Sequence, residues 1–218
     1  SRVESLAAAL MDALPRRSVP DATWVCPTLP EAEVFTAPSR INFVGKGANL
    51  YALGYRYHGS ANVILRHLRM GYLWERVRVQ GGAYGAFCSL DRMSGTLVQA
   101  SYRDPSVTDT LRVYDATAEY LRAFNPDSRE LTRAIVGAIG DLDAYLLPDA
   151  KGAASLTRYL CGDTEELRQQ MRDEILSTTA KDFHTFAEVM AEAARSGAVC
   201  VLGGAAAETA AAEQGWTV

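Results

Sequence analysis

A chain of 218 residues with 48% apolar and 22% charged side chains suits one large globular domain or two small ones, rather than a disordered or membrane protein. The formal net charge of −4, from 26 acidic and 22 basic residues, leaves no basic stripe, so the electrostatic footprint of a nucleic-acid binder is missing. No apolar run approaches the ~20 residues of a membrane span, so neither nucleic acid nor membrane is an expected partner.

The opening SRVESLAAALMDALPRRSVP reads as a short amphipathic helix over residues 5–14, not as a signal peptide. It lacks an initiating methionine, as a piece of a longer chain or a processed chain would. The four prolines of PRRSVPDATWVCPTLPEAE mark an extended stretch. Residues 1–32 are therefore expected to form a helix and an interdomain connector, and residues 33–218 the compact domain.

A strand is expected over residues 41–44, ended by Gly45 and Gly47. Residues 60–73 carry Ile64, Leu68 and Tyr72 at spacing four, which predicts a helix with one apolar stripe. The segments AYGAFCSL and TLVQASY read as two strands joined by DRMSG, which has the length and the glycine of a hairpin loop. Asp104 and Pro105 fit an N-cap and first helical position, and Val107, Leu111, Tyr114, Ala118 and Leu121 line one helix face behind them. Ser128 is expected to cap a further helix bearing Leu131, Ile135, Ile139 and Leu142, ended before LPDAKG. Helices follow at 165–176 and 181–195, the second aligning Phe183, Phe186, Met190 and Ala193. AVCVLGG then reads as a short buried strand before an alanine-rich terminal helix. A hairpin in the middle and a block of helices behind it break the regular alternation that builds a parallel sheet. The expected fold class is α+β, a mostly antiparallel sheet covered by helices.

The chain holds few chemical motifs. Cys26, Cys88, Cys161 and Cys200 are widely separated, with no C-x-x-C pair, and read as buried free thiols. GKGANL and VLGGAAAE each lack a glycine of the dinucleotide fingerprint, and neither ends in the G-K-[ST] of a P-loop. His58, His67 and His184 belong to no H-E-x-x-H or H-x-x-E-H motif, so no metal set is expected, and His184 with Glu188 reads as a solvated helix pair. No G-x-S-x-G elbow is present.

RVQGGAY, residues 78–84, remains. On a straight strand Arg78 and Tyr84 would share a face but lie about 20 Å apart, at ~3.3 Å per residue. On a continuous helix they would point apart, at about 100° per residue. Gly81 and Gly82 tolerate backbone angles barred to other residues, so a bend there would let guanidinium and phenol meet. Two such donors aimed at one point would polarise a carbonyl. Spacing alone favours the plainer alternative, a surface charge and a half-buried strand aromatic flanking an ordinary glycine turn.

Longer stretches add to this. INFVGKGANLYALGYRYHGSANVI, LWERVRVQGGAYGAFCSLDRMSG, SYRDP, AIVGAIGDLDAYLLPDAKG and EILSTTAKDF occur in this order. Together they resemble the last domain of presequence-degrading proteases, the oligopeptide-cleaving branch of the pitrilysin-like, inverted-motif zinc metallopeptidases. The resemblance implies a domain of the pitrilysin and mitochondrial-processing-peptidase type, in a clamshell of two halves that closes on a peptide. It implies zinc in the full-length enzyme, with its ligands in the first domain and so outside this chain. Arg78 and Tyr84 match the arginine and tyrosine by which the last domain reaches the substrate carbonyl, with Gly81 and Gly82 as the supporting bend. Loss of either donor should then cost about 2 to 4 kcal/mol of transition-state stabilisation.

The implied partners are a peptide substrate and the N-terminal half of the same polypeptide. Lacking H-x-x-E-H, these residues alone are expected to be inactive. The alternative is a non-catalytic binding or assembly subunit of the same superfamily. Bacterial cytoplasm and organelle matrix both suit free cysteines. A domain cut from a clamshell should also expose an apolar patch, for which Tyr51, Tyr55 and Tyr57 are candidates.

Overall fold

The structure, a computed structural model, describes residues 2–15, 23, 25 and 30–218. Helix α1 (Arg2–Ala13) forms over the expected amphipathic segment, and none of its residues is buried. The connector expected behind it lies largely outside the described residues, as does Cys26.

One five-stranded sheet organises the rest, in the order β1-β5-β2-β4-β3. Its strands are β1 (Ala32–Thr36), β2 (Asn42–Asn49), β3 (Gly85–Leu90), β4 (Thr96–Asp104) and β5 (Ala198–Gly203). The β5–β2, β2–β4 and β4–β3 pairings are antiparallel and only β1–β5 is parallel, so the sheet is mostly antiparallel. The hairpin at residues 91–95 closes through Asp91 N–H to the Thr96 carbonyl, and the Asp91 carboxylate accepts from Met93 and Ser94 N–H.

Two strand expectations need correction. β2 does not end at Gly45 and Gly47 but runs through both to Asn49. A Cβ at Gly47 would lie 2.8 Å from the Leu97 carbonyl oxygen, so glycine there serves close approach to β4 rather than a stop. β1 was not expected. Its partners come from the far end of the chain, through β5 and through Val34 N–H to the Thr217 carbonyl and Thr217 N–H to the Ala32 carbonyl.

The helices cover one face of the sheet. Val34, Val44, Cys88, Leu97 and Val201 point to that face and are buried. Among the described residues nothing covers the opposite face, where Phe35, Leu202, Phe43, Tyr102 and Phe87 form an exposed apolar row across all five strands. β5, expected as a short buried strand, is thus buried on one side only. The apolar surface is this row and not Tyr51, Tyr55 and Tyr57, which pack against their own domain. Tyr51 Oη donates to the Arg92 carbonyl, Tyr55 lies edge-on to Phe186, and Tyr57 Oη accepts from Asn62.

Helix α2 (Ser60–His67) buries Val63, Ile64 and Leu65, and the chain continues helically to Gln80, beyond the expected end at residue 73. The stripe from Val107 to Leu121 forms, but as α3 (Thr108–Asp115) and α4 (Thr117–Ala123), broken at Ala116. Asp104 is not its N-cap. It ends β4, wholly buried, and its carboxylate reaches forward to Ser106 N–H and Thr110 Oγ1. Asp127, not Ser128, caps α5 (Ser128–Leu142), because its carboxylate accepts the Glu130 N–H.

Helix α6 (Pro148–Leu160) has no counterpart among the expected elements. Pro148 occupies its first turn, where a missing N–H costs nothing, and none of its residues is buried, so it carries no core stripe to betray it. Helices α7 (Glu165–Leu176), α8 (Ala180–Ser196) and α9 (Ala205–Gln214) follow expectation. The predicted stripe of α8, Phe183, Phe186, Met190 and Ala193, is buried.

Candidate functional site

The segment leading to Arg78 is helical with an unusual pitch. Nine residues span two and a half turns of an α-helix, so Leu68 and Val77 would face opposite ways. Both are buried, as is Leu73 between them, and the observed spacing of five and then four residues needs a wider turn. The chain adopts it as two π-helical pieces, Leu68–Tyr72 and Trp74–Gln80, with bonds such as Leu73 N–H to the Leu68 carbonyl. Such widened turns are rare and recur at functional sites.

Arg78 lies in the last turn, half-buried, with its guanidinium carbon 3.8 Å from the centre of the Trp74 ring. The helix then closes on two nested bonds, Gly82 N–H to the Arg78 carbonyl and Ala83 N–H to the Val77 carbonyl, each 3.1 Å. This is the usual glycine-terminated ending, widened by one residue in each bond. Gly82 carries a φ of +80°, and a Cβ at Gly81 would lie 2.6 Å from the Val77 carbonyl oxygen, so each glycine has its own reason. The turn sets residue 83 beside residue 77, and the straight-strand separation of Arg78 and Tyr84 does not occur.

Tyr84 precedes β3. Its N–H donates to the Tyr102 carbonyl at 3.1 Å and to the Arg103 carbonyl at 3.4 Å, which pins the backbone while the side chain stays 65% exposed. Its ring meets Tyr102 edge-on at 5.7 Å, and Tyr102 in turn meets Phe43 at 5.4 Å, so Tyr84 adjoins the bare apolar row. The Arg103 guanidinium lies 5.8 Å from the Tyr84 ring centre. Arg78 and Tyr84 thus rest on different neighbours, Trp74 and the Tyr102–Arg103 pair. Among the described residues no carboxylate pairs with Arg78 or Arg103.

Trp74, Tyr102 and Arg103 were not singled out from the sequence. Trp74 stands four residues before Arg78, but the expected helix ended at residue 73, so that spacing carried no signal. Tyr102 and Arg103 join the site only through pairing of β3 with β4.

The other chemical candidates are structural. His184 bonds the Phe124 carbonyl and Glu188 pairs with Arg122, so the two do not act on each other as the solvated pair expected of them. His67 bonds Tyr120 Oη inside a ring cluster with Phe124 and Phe183, and burial lowers its pKa. His58 bonds Ser60. Among the described residues no three His, Cys, Asp or Glu side chains are grouped to hold a metal. Cys88 is a buried thiol, whereas Cys161 and Cys200 are exposed, against the expectation of burial. No described helix is long and apolar enough to cross a membrane.

The architecture is that of pitrilysin-type peptidase domains. A protease from Helicobacter pylori superposes with a TM-score of 0.62 at 15% identity, over 93% of this chain and 52% of that one. The inactive domain of an M16 peptidase from Pseudomonas fluorescens gives 0.62 at 19% identity, over 94% and 51%. Pitrilysin itself gives 0.54 at 14% identity, over 78% and 19%.

Residues 32–204 match the family described as the PreP C-terminal domain, and the chain belongs to that family. Presequence protease 1, chloroplastic/mitochondrial, of Arabidopsis thaliana is 47% identical over 191 residues, 87% of this chain. The mitochondrial presequence protease of Aspergillus oryzae is 28% identical over 169 residues, 78% of this chain. The chain spans only 18% and 16% of the length of these two relatives.

Proposed function

We propose that this chain is the C-terminal domain of a zinc metalloendopeptidase that degrades unstructured peptides, and that Arg78 and Tyr84 are its donors to the substrate carbonyl. Residues 33–218 form the domain in this reading, and residues 1–32 a helix and connector to the N-terminal half. The observation that carries it is the turn at Gly81 and Gly82, which sets a half-buried arginine and an exposed tyrosine at its two ends, with no carboxylate of the described residues paired to the arginine. The bare apolar row adjoining Tyr84 supports a partner that offers apolar side chains in extended form.

The zinc implied by this reading finds no ligand set among the described residues, whose histidines are held by Tyr120, Ser60 and the Phe124 carbonyl. Its chemistry belongs to the other half, and this chain supplies hydrogen-bond donors. Arg78 offers guanidinium N–H groups and Tyr84 its O–H to the carbonyl oxygen as it gains negative charge. Donors held before the reaction starts need no reorganisation during it, and here a helix terminus and a strand start hold the two backbones.

The test is kinetic, on the full-length protease. Tyr84→Phe removes one hydroxyl and keeps the ring, while Arg78→Lys keeps charge but loses the planar fork. Each should lower kcat by about a hundredfold or more, with little change in thermal midpoint. An unchanged kcat/KM for Tyr84→Phe would reduce the tyrosine to a strand-end aromatic and refute the reading.

A further inference from the structure

We infer that Arg103 is a third member of this site, a positioning residue that steadies the Tyr84 ring and places beside it a positive charge that pairs with no carboxylate of the described residues. The inference rests on the reading of Arg78 and Tyr84 as donors.

The first observation is conformational. Arg103 has a φ of +52°, and among the described residues it is the only non-glycine in the left-handed region. Glycine would sit there without strain, so a side chain held at such a position calls for a reason beyond the backbone. The strain has a structural origin in the β2–β4 pairing. Asn42 faces Asp104 and Val44 faces Ser101, so β4 inserts one extra residue and bulges at Tyr102 and Arg103.

The bulge is locked from both sides. Asp104 is fully buried, its carbonyl accepting from Asn42 Nδ2 at 3.0 Å and its carboxylate from Thr110 Oγ1 at 2.8 Å. The Tyr102 and Arg103 carbonyls share the Tyr84 N–H. A bulge of this kind re-aims one side chain, and the Arg103 guanidinium comes to lie 5.8 Å from the Tyr84 ring centre, opposite no carboxylate of the described residues.

A guanidinium over one side of the ring and Tyr102 at its edge leave the phenol fewer orientations than a free surface tyrosine has. The same charge favours an oxygen gaining negative charge at the Tyr84 hydroxyl. A bulge needed only for sheet geometry would predict something different, namely that glycine at position 103 serves as well as arginine or better.

That contrast sets the experiment, in the full-length protease, with Arg103→Gly, Arg103→Lys, Tyr84→Phe and the double variant Arg103→Gly/Tyr84→Phe. Arg103→Gly relieves the left-handed strain, so its thermal midpoint should hold or rise. Its kcat should nevertheless fall by about three- to tenfold, the scale of one charge on a partly exposed ring, with KM within about twofold. Arg103→Lys should recover part of the loss. In the Tyr84→Phe background, where no hydroxyl is left to position, Arg103→Gly should cost clearly less than it does alone. An unchanged kcat in Arg103→Gly alongside a large loss in Tyr84→Phe overturns the role of Arg103 and leaves the donor pair standing. An equal loss in both backgrounds also overturns it, since Arg103 would then not act through Tyr84. If neither single variant changes kcat, the donor reading falls together with this one.

Discussion

Replacing Gly82 by Ala perturbs the turn between Arg78 and Tyr84 through backbone conformation alone. The nearest atom to an added Cβ is Pro105 Cγ at 3.4 Å, an ordinary contact, so space is not the obstacle. The φ of +80° is. Holding an L-residue in the left-handed region costs about 1–2 kcal/mol, and the loss of freedom in the unfolded chain returns about 0.4–1 kcal/mol. The net destabilisation is about 1 kcal/mol, or about 2–4 °C in thermal midpoint for a domain of this size. Gly82→Asn should lose less, because asparagine tolerates this region. Gly81→Ala should lose more and by another mechanism, since its Cβ would press on the Val77 and Arg76 carbonyl oxygens at 2.6 and 3.1 Å, both acceptors in the turn. Urea unfolding of the chain, followed by circular dichroism, ranks the three variants. A neutral or stabilising Gly82→Ala, or an Asn variant worse than Ala, would refute a left-handed backbone at this position.

Two further outcomes follow from buried titratable groups. Burial holds the His67 pKa below its ordinary 6.5, so above that pH the imidazole is neutral in folded and unfolded chains alike. As the pH falls below about 6.5 the unfolded chain takes up the proton first, and stability should drop until the folded His67 titrates too. His67→Gln should flatten that part of the urea-midpoint profile between pH 7 and 5, and an unaltered slope would assign the pH dependence to another group. Burial pushes the Cys88 thiol up to about 12, so at pH 8 it is both enclosed and protonated. Alkylation followed by peptide mapping should label exposed Cys161 in the native chain and Cys88 only after denaturation. Comparable native labelling of Cys88 would contradict its placement in the core.

Elements that are local and amphipathic were legible in the chain. The stripe Phe183, Phe186, Met190 and Ala193 predicts α8, and AYGAFCSL, DRMSG and TLVQASY predict the β3–β4 hairpin, because both signals lie within a few residues of one another. Arg78, Gly81, Gly82 and Tyr84 could be singled out for the same reason, being six positions apart at most, and the resemblance supplied the roles considered for them.

What the chain could not display was anything set by partners far away in sequence. β1 exists because β5 and Thr217 supply its hydrogen bonds, and its five residues carry too little pattern to announce themselves. α6 has no buried residue and hence no periodicity to read. The pitch change after residue 68 escaped a search at 3.6 residues per turn, because burial of Leu73 and Val77 against the sheet, rather than helix propensity, selects the wider turn.

The candidate site divides along the same line. Composition and charge pointed to a globular chain, the order of periodic segments to an α+β fold, and the RVQGGAY spacing to two possible donors, in a sequence with no H-E-x-x-H or H-x-x-E-H motif. Only the tertiary structure decided that Trp74 lies under Arg78 and that a bulge in β4 brings Tyr102 and Arg103 to Tyr84. The register of β4 against β2 and β3 puts apolar Leu97, and with it Gln99 and Ser101, on the helix-covered face, and so Tyr102 on the other. Because pairing across a sheet obeys which face is buried rather than distance along the chain, residues 18 and 19 positions beyond Tyr84 became its neighbours.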